Sequence, residues 1–421
     1  MTLPRFIQIH TLHNYPGALL NRDDAGLAKR LPYGDATRTR ISSQCLKRHW
    51  RTADDHFALA RLGVPMALRS RNFAESIQDS LLAGGVAEGV ALTLASTMRE
   101  AFTKGLDKLL KAPAKSKSAK KSKAAKAESE PDDEAAESAE QNQAILLGVA
   151  ELEHLKRICL DVAGLVRDPA TARQALLERL KAERGNLSAM QLACGLESAL
   201  FGRMVTSDVL AGRDASVYVA HAFTVHKEQV ESDYFTVVDD LPRDAGDPSS
   251  AGIFDTELAS GLYYGYVVVD VPQLVANLEG VKADEWATLP ADRRELAGRV
   301  VQHLLHLIAT VSPGAKRGST APFEWAKFML VEAGDWQPRS LAGAFQNALP
   351  LTQASIRKAA MRQISDELSQ LDAAYGAPLA RRFLAVDDVS VPGGERMTLS
   401  DMAQWVRMAI TEAQAPVASS A

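Results

Sequence analysis

The sequence is poor in cysteine: 421 residues contain only Cys45, Cys159 and Cys194, widely spaced and odd in number. That excludes a disulfide framework and paired Cys-x-x-Cys zinc ligands, and it predicts a reducing, cytoplasmic compartment. Long apolar runs are lacking too. The nearest, Val300 to Val311, is broken by Gln302, His303 and His306, so no membrane span is expected. The opening Met1-Thr2-Leu3-Pro4-Arg5 has no basic-then-apolar leader pattern. Neither a Gly-x-x-x-x-Gly-Lys-Ser/Thr nor a Gly-x-Gly-x-x-Gly loop occurs, and Gly84-Gly85 and Gly393-Gly394 sit in turn contexts. What is present is ordinary globular composition, 46% hydrophobic and 24% charged, which excludes a wholly disordered or collagen-like chain. At about 150 residues per domain, the length allows two or three domain-sized bodies.

Periodicity organises the chain as α+β. Residues 5–13 alternate as a strand with Ile7, Ile9 and Thr11 on one face, and a loop rich in Asn, Asp, Gly and Pro follows to Gly34. An extended segment from Thr37 to Ile41 leads to Ser42-Ser43, a plausible N-cap, and a helix from about Gln44 to Leu62. Two helical patterns come next, near Val86–Lys111 and Gln141–Val166. The first stripe is Val90, Leu94, Met98, Ala101, Phe102 and Leu109; the second is Val149, Leu152, Leu155, Cys159 and Val162. Between them, residues 111–126 hold seven Lys and no acid, and residues 127–140 hold seven acids and no base. A block whose only apolar type besides Pro is Ala cannot bury enough area to order itself, so 111–140 is expected to be a disordered surface loop. Strands are expected over 216–226 and Leu262–Val271, and helices over Asp292–Val311 and from Ser400, with a frayed tail from Ala413.

Net charge is −4, but it is uneven. From Arg22 to Arg51 the chain carries Arg22, Lys29, Arg30, Arg38, Arg40, Lys47, Arg48 and Arg51 against Asp23, Asp24 and Asp35. That is +5 over thirty residues, leaving −9 elsewhere. Arg38 and Arg40 alternate along one strand face, and Lys47, Arg48 and Arg51 fall early in the helix capped by Ser42-Ser43. Cations near a helix N-terminus oppose the macrodipole, costing about 0.3–1 kcal/mol each when exposed. A bound anion reverses that cost, which tilts the reading from a merely solvated surface towards a phosphate-backbone site.

Other chemistry-bearing residues have plainer readings. His10 and His13 face opposite sides of a strand, as do His221 and His226. His303 and His306 share a helix face without a carboxylate or Cys beside them, so structural histidines are favoured over a zinc site. Cys45 and His49 are four apart but lack a third orienting group. Asp23 and Asp24 could hold a divalent metal beside a phosphate; the preferred reading has one capping a turn and the other pairing with Arg22. Pro313-Gly314-Ala315-Lys316-Arg317-Gly318 is a basic turn that could touch phosphate or simply cap a helix. Gly202-Arg203-Met204 opens a polar loop, where Met204 suits wedging against a base or folding back on the core.

Several segments together resemble one family: Leu20-Asn21-Arg22-Asp23-Asp24, Arg40-Ile41-Ser42-Ser43-Gln44-Cys45-Leu46-Lys47-Arg48, Gly202-Arg203-Met204-Val205-Thr206-Ser207, the His221 to Asp240 region ending Phe235-Thr236-Val237-Val238-Asp239-Asp240, and Val311-Ser312-Pro313-Gly314-Ala315-Lys316. In this order they resemble the CasC-type backbone subunit of the type I-E CRISPR surveillance complex, Cascade. The resemblance implies a right-hand shape: a ferredoxin-like (RRM-type) palm from residues 1–55 and 251–421, helical fingers from 56–200 and an extended thumb from 201–250. It implies a non-enzymatic scaffold without cofactor that binds CRISPR RNA and contacts the target DNA strand. Its further partners would be copies of itself, stacked head-to-tail, and the large, small, 5′-end-capping and repeat-processing subunits of Cascade. Carried over by position, the RNA-facing residues are Arg22, Arg40, Gln44, Lys47 and Arg51, with Ser43 and Lys316 next and Arg38 following by neighbourhood. Arg48 belongs to the same basic segment. Arg203 and Met204 would lie at the base of the thumb. A rival from another class is a metal-dependent ribonuclease using Asp23 or Asp24, as in related backbone subunits of RNA-targeting type III complexes.

Overall fold

The computed structural model of the protein describes residues 3–111, 144–189, 194–203, 212–238, 250–315 and 317–412. The chain divides into two compact units. One comprises Met1–Leu62, Ser216–Ala276 and Val281–Ala421; the other comprises Gly63–Ala215 and Asn277–Gly280. The Lys- then Glu-rich block lies outside the described residues beyond Lys111.

The first unit opens with β1 (Phe6–Ala18), the hairpin β2 (Arg30–Tyr33) and β3 (Ala36–Ile41), and α1 (Ser43–Arg51). β1 begins where the alternation predicts but continues past His13. Its register with its neighbour shifts between Tyr15 and Ala18, where Gly17 takes φ +28. An extra residue at such a bulge lets the strand carry Pro16 without losing its pairing. The β2–β3 turn needs Gly34 at φ +63, because a Cβ there would sit 1.6 Å from the Gln346 carbonyl oxygen. Ser42 caps α1 by accepting the Cys45 N–H at 3.3 Å. The helix stops at Arg51, well short of Leu62: Thr52 turns its hydroxyl back to the Arg48 carbonyl at 2.9 Å, and the Asp55 carboxylate accepts the Phe57 N–H in a turn.

The second unit pairs β4 (Ala67–Ser70) with β5 (Ile145–Gly148) beside the helices α2 (Phe73–Ala83), α3 (Glu88–Lys104), α4 (Leu106–Lys111), α5 (Val149–Leu165), α6 (Pro169–Ala189) and α7 (Leu196–Phe201). The expected stripes form its core: Val90, Leu94, Met98, Ala101 and Phe102 pack with Leu152, Leu155, Cys159 and Val162. Val149, expected in the second stripe, is exposed instead. Both expected helices are interrupted. Gly105, at φ +84, separates α3 from α4, and residues 145–148 form β5 before α5 starts at Val149.

The remainder of the first unit supplies β6 (Val217–Val219), β7 (Ala222–Thr224), β8 (Gln229–Val238), β9 (Ser250–Asp270), α8 (Val271–Glu279), α9 (Ala291–Thr310), α10 (Arg317–Thr320), β10 (Phe328–Gly334), α11 (Ile356–Tyr375), β11 (Ala380–Ala385), β12 (Gly394–Arg396) and α12 (Leu399–Thr411). The strands form one mixed sheet in the order β12-β11-β10-β1-β9-β7-β3-β2, with β6 and β8 also pairing on β9. All its ladders are antiparallel except β11 with β12. The segment expected as one strand over 216–226 is two short ones broken at Ala220 and His221, whereas the strand expected from Leu262 starts twelve residues earlier. On one face of the sheet, Leu12, Tyr264, Leu330 and Phe383 pack against Ala360, Met361, Ile364 and Leu368 of α11. On the other, Thr11, His13 and Tyr263 face Leu46 and Trp50 of α1 and Ile308 of α9. α9 and α12 approach closely at Gly298, where a Cβ would meet Thr411 at 2.8 Å.

The centre of the α11 face is charged. Glu332 on β10 is fully buried and receives Arg381 Nε at 2.7 Å and Arg339 Nη1 at 2.6 Å, with His10 Nε2 at 3.3 Å. Arg381, 1% exposed, also donates to Asp372 of α11 at 2.7 Å. Leu341 N–H donates to the Tyr264 hydroxyl, which lies 2.9 Å from His10 Nδ1. Burial alone would raise the Glu332 carboxyl, but the hydrogen bonds and charges of His10 and Arg339 outweigh it and hold it far below the usual carboxylate range. A depressed carboxyl stabilises the fold above its unfolded value of about 4.3 and loses that contribution as pH falls below it. Glu332→Gln should therefore cost about 3 kcal/mol in urea unfolding at neutral pH, because it leaves the buried Arg381 and the half-buried Arg339 undercompensated. The gap from wild type should narrow as the pH is lowered from about 6 towards 3; a gap constant with pH would contradict an ionised Glu332.

Candidate nucleic-acid interface

The basic segment is built by stitching a loop to the β3–α1 junction. Asn21 accepts the Ser42 N–H on Oδ1 at 2.9 Å, the Lys29 N–H donates to the Asn21 carbonyl at 3.0 Å, and the Arg40 N–H donates to the Lys29 carbonyl at 2.7 Å. This fixes Arg22, which is exposed, at the head of a turn bridged to Ala28. Asp23 makes that turn, its Oδ1 accepting the N–H groups of Ala25 and Leu27 at 3.0 and 2.9 Å. The half-buried Arg40 donates Nε to the Arg30 carbonyl at 3.2 Å and Nη1 to His221 Nδ1 at 3.1 Å. Burial, reinforced by the charges of Arg40 and Lys29, keeps His221 neutral and able to accept. Arg30 is paired with both Glu228 and Glu257, at 2.5 and 2.8 Å, so its charge is more than balanced locally.

α1 is amphipathic in a useful sense. Leu46, His49 and Trp50 face inward, Gln44 and Arg48 are exposed, and Ser43, Lys47 and Arg51 are half-exposed. Gln44, Lys47, Arg48 and Arg51 stand three, four and seven positions apart, so they form one outward stripe. Its first turn carries no acid. Partial burial lowers the Lys47 ammonium from its ordinary value. The Ser43 hydroxyl donates to Gln44 Oε1 at 3.3 Å.

Two expected residues stand elsewhere. Arg38, on the same strand as Arg40, is fully buried; it donates Nη1 to the Thr224 carbonyl and Nη2 to the Phe345 carbonyl, both at 3.0 Å, with the Tyr33 ring beneath it. It ties β3 to β7 and to the turn at 342–346, and burial pulls its guanidinium pKa down, the charge of Asp35 opposing. The alternation that pairs it with Arg40 is right, but the turn at 342–346 covers only Arg38. Arg203 is likewise internal, clasping the buried Glu151 at 2.6 and 3.0 Å, while Glu151 also accepts the Gly148 N–H that starts α5. Neither guanidinium offers surface to a phosphate. Met204 and Lys316 lie outside the described residues. The residues before 316 are docked at the basic segment: the Ala315 N–H donates to the Leu19 carbonyl at 2.9 Å and the Gly314 N–H to His49 Nε2 at 3.3 Å.

The remaining candidates are structural. His49 holds the Cys45 carbonyl with Nδ1 at 2.8 Å and accepts from Gly314 with Nε2, so neither nitrogen serves as base to Cys45. Burial also raises the Cys45 thiol, the reverse of what a nucleophile needs. His303 Nδ1 meets the Phe57 carbonyl at 3.0 Å, and His306, which burial lowers to about 4, stacks on the Phe57 ring at 3.5 Å. Among the described residues no group of three or more His, Cys, Asp or Glu is arranged to hold a metal ion, and no helix is long and apolar enough to cross a membrane.

The architecture is thus an α+β chain with one mixed sheet between helices and an outward cationic helix stripe at one end of it. Within that class, the chain belongs to the CT1975-like Cas protein family, whose model matches residues 7–407. It is similar in fold to a chain of a "CRISPR RNA-guided surveillance complex, pre-nicking", at 24% identity and a TM-score of 0.67, covering 95% of this chain and 100% of that one. A chain of another "CRISPR RNA-guided surveillance complex" is similar at 20% identity and a TM-score of 0.52, with 95% and 99% covered. No curated protein matches.

The contrast between the buried strand arginine and an exposed helix arginine is measurable. Arg38→Ala should cost about 2–3 kcal/mol in urea unfolding by orphaning buried carbonyls, whereas Arg48→Ala should stay within about 0.5 kcal/mol of wild type.

Proposed function

We propose that the protein is a non-enzymatic, guide-RNA-binding backbone subunit of a CRISPR surveillance complex of the type I-E, Cascade-like kind, acting in the cytoplasm. On this reading the sheet and its helices are a ferredoxin-like palm, residues 56–200 the fingers and 201–250 the thumb. Copies stack head-to-tail along the spacer, together with the other Cascade subunits, and the held guide pairs with the target DNA strand. The observation that carries it is the outward set Arg22, Arg40, Gln44, Lys47, Arg48 and Arg51, fixed by backbone hydrogen bonds on a chain of a Cas family. Such a set holds a phosphate backbone without reading bases, and sequence is then read by pairing. Arg38 and Arg203 support the scaffold from inside it.

The ribonuclease alternative has less support. Of the two acids that reading uses, Asp23 already has a structural part to play, its Oδ1 accepting two backbone N–H groups in its own turn, and Asp24 beside it is exposed.

The test is co-expression with the neighbouring subunits and a CRISPR array, then sizing with light scattering at moderate salt. A high-mass particle holding one discrete RNA of repeat-plus-spacer length is expected; protein running free of RNA at monomer mass would refute the scaffold. Arg48→Ala should weaken RNA binding and flatten the log K against log salt slope by roughly 0.7, the contribution of one phosphate on a single strand.

A further inference from the structure

Between α9 and β10 the described residues are tied together at several points. Ser312 closes the neck of this loop, its hydroxyl donating to the Glu324 carbonyl and accepting the Glu324 N–H, each at 2.9 Å. Gly314 lies so near the Pro322 ring that a Cβ would approach it to 2.3 Å. Ala321 takes φ +41, a left-handed conformation that costs a non-glycine residue energy and persists only where its surroundings impose it. This frame presents two large rings to solvent, Phe323 at 67% and Trp325 at 70% exposure, with the Arg317 guanidinium 5.9 Å from the Phe323 ring.

Trp325 also forms one wall of a cleft of about 750 Å³. The cleft is further lined by Asp55, His56, Lys327 and the stacked pair of Phe57 and His306, the latter a neutral imidazole. It therefore combines an accessible indole face and a stacked aromatic pair with a carboxylate, an ammonium and an imidazole able to meet donors and acceptors. It is also continuous in sequence with the phosphate stripe. Asp55 follows Arg51 by four residues, which even fully extended span no more than about 14 Å. The loop that carries Trp325 also touches α1 itself, the Gly314 N–H donating to His49 Nε2, and the Ala315 N–H donates to the Leu19 carbonyl just ahead of Arg22. A strand whose phosphates follow Gln44, Lys47 and Arg51 would therefore pass within a few nucleotides of the cleft.

We propose that this cleft receives an unpaired base of the bound RNA strand, stacked on Trp325, so that the chain holds its guide by a base-stacking site as well as by phosphate contacts. The inference rests on the RNA-binding reading above. Stacking on an aromatic face tolerates every base, since each has a π-face, and so adds affinity without selecting a sequence.

The experiment uses the full chain and a single-stranded RNA of roughly 12 nucleotides, a length comparable with the site sizes of single-strand-binding domains, carrying 4-thiouridine. After irradiation and trypsin, a uridine adduct is expected on the peptide Gly318–Lys327, which holds both rings. Trp325→Ala should weaken RNA binding about 5- to 100-fold, the range of one base stack, with the salt slope unchanged. Trp325→Phe should retain most of the affinity. The ring is exposed, so neither variant should lose its fold. Wild-type affinity in Trp325→Ala, with adducts confined to α1 peptides, would overturn the base site while leaving the RNA-binding reading intact. Unchanged RNA affinity with weakened self-association would overturn it too, by assigning the ring to a protein contact. A wild-type chain that binds no RNA would remove both.

Discussion

The structure of the larger unit depends on one buried carboxylate. Glu332 lies in the middle of the sheet, and the network around it draws on four places: the guanidinium groups of Arg339, from the segment after β10, and Arg381, from β11, supply opposite charge, His10 from β1 a polar contact, and Asp372 from α11 a second carboxylate that balances Arg381. A buried charge in an apolar core is costly unless its partners are all present. The sheet centre, the covering helix and the turn at 339–341 therefore have one arrangement in which every charge is met. Apolar packing of Leu12, Phe328, Leu330 and Phe383 surrounds this network and supplies area, but it would tolerate sliding between neighbouring strands. The ion network would not, since a shift of β10 by one residue would put Glu332 on the opposite face.

The same logic, an arginine matched to fixed oxygens, recurs at the edge of the sheet and separates structure from function there. Arg38 and Arg40 are two residues apart on β3 and share a face. Arg38 lies under the turn at 342–346, where the carbonyls of Thr224 and Phe345 use its donors for cohesion. Arg40 lies beyond that cover, steadied by one carbonyl and one neutral imidazole, and keeps its charge near solvent. Arg203 repeats the buried case in the smaller unit with Glu151. Local positive charge is therefore not a measure of binding surface; cover by a third element decides which arginines remain for a partner.

Much of this was legible in the sequence where one periodicity had one cause. Ile7 and Ile9 alternate because β1 is a strand, and Leu94, Met98, Leu155 and Cys159 recur at helical spacing because they share one core. The legibility ended where a single residue decided. Gly105 breaks a helix whose stripe continues through it, and Thr52 and Asp55 stop α1 although apolar residues follow. β10 has no alternation to read, because Phe328 through Ala333 are buried on both faces. At the site, the basic helix face followed from spacing and charge, whereas the burial of Arg38 depended on a turn some three hundred residues away.

A net charge of −4 would ordinarily argue against a polyanionic partner. It does not do so here because screening limits each surface charge to its neighbourhood, about 8–10 Å at physiological salt. Along residues 22–51 bases outnumber acids eight to three, and of the acids near this segment Asp23 is tied into its own turn while Glu228 and Glu257 are paired with Arg30. A phosphate at this surface meets Arg22, Arg40, Lys47, Arg48 and Arg51 at short range, whereas most of the chain's surplus of acids is carried by other segments. The described residues between α9 and β10 extend the argument from charge to shape. Ser312 bonds back to Glu324, Gly314 packs on Pro322 and Ala321 takes a left-handed conformation, and these contacts set where the exposed Phe323 and Trp325 rings stand. Positioning such rings beforehand lowers the entropy lost when a partner settles on them. On the proposed reading, positive charge on one element and aromatic surface on the next are the two properties a flexible polyanion with flat bases requires of a protein that holds it without reading it.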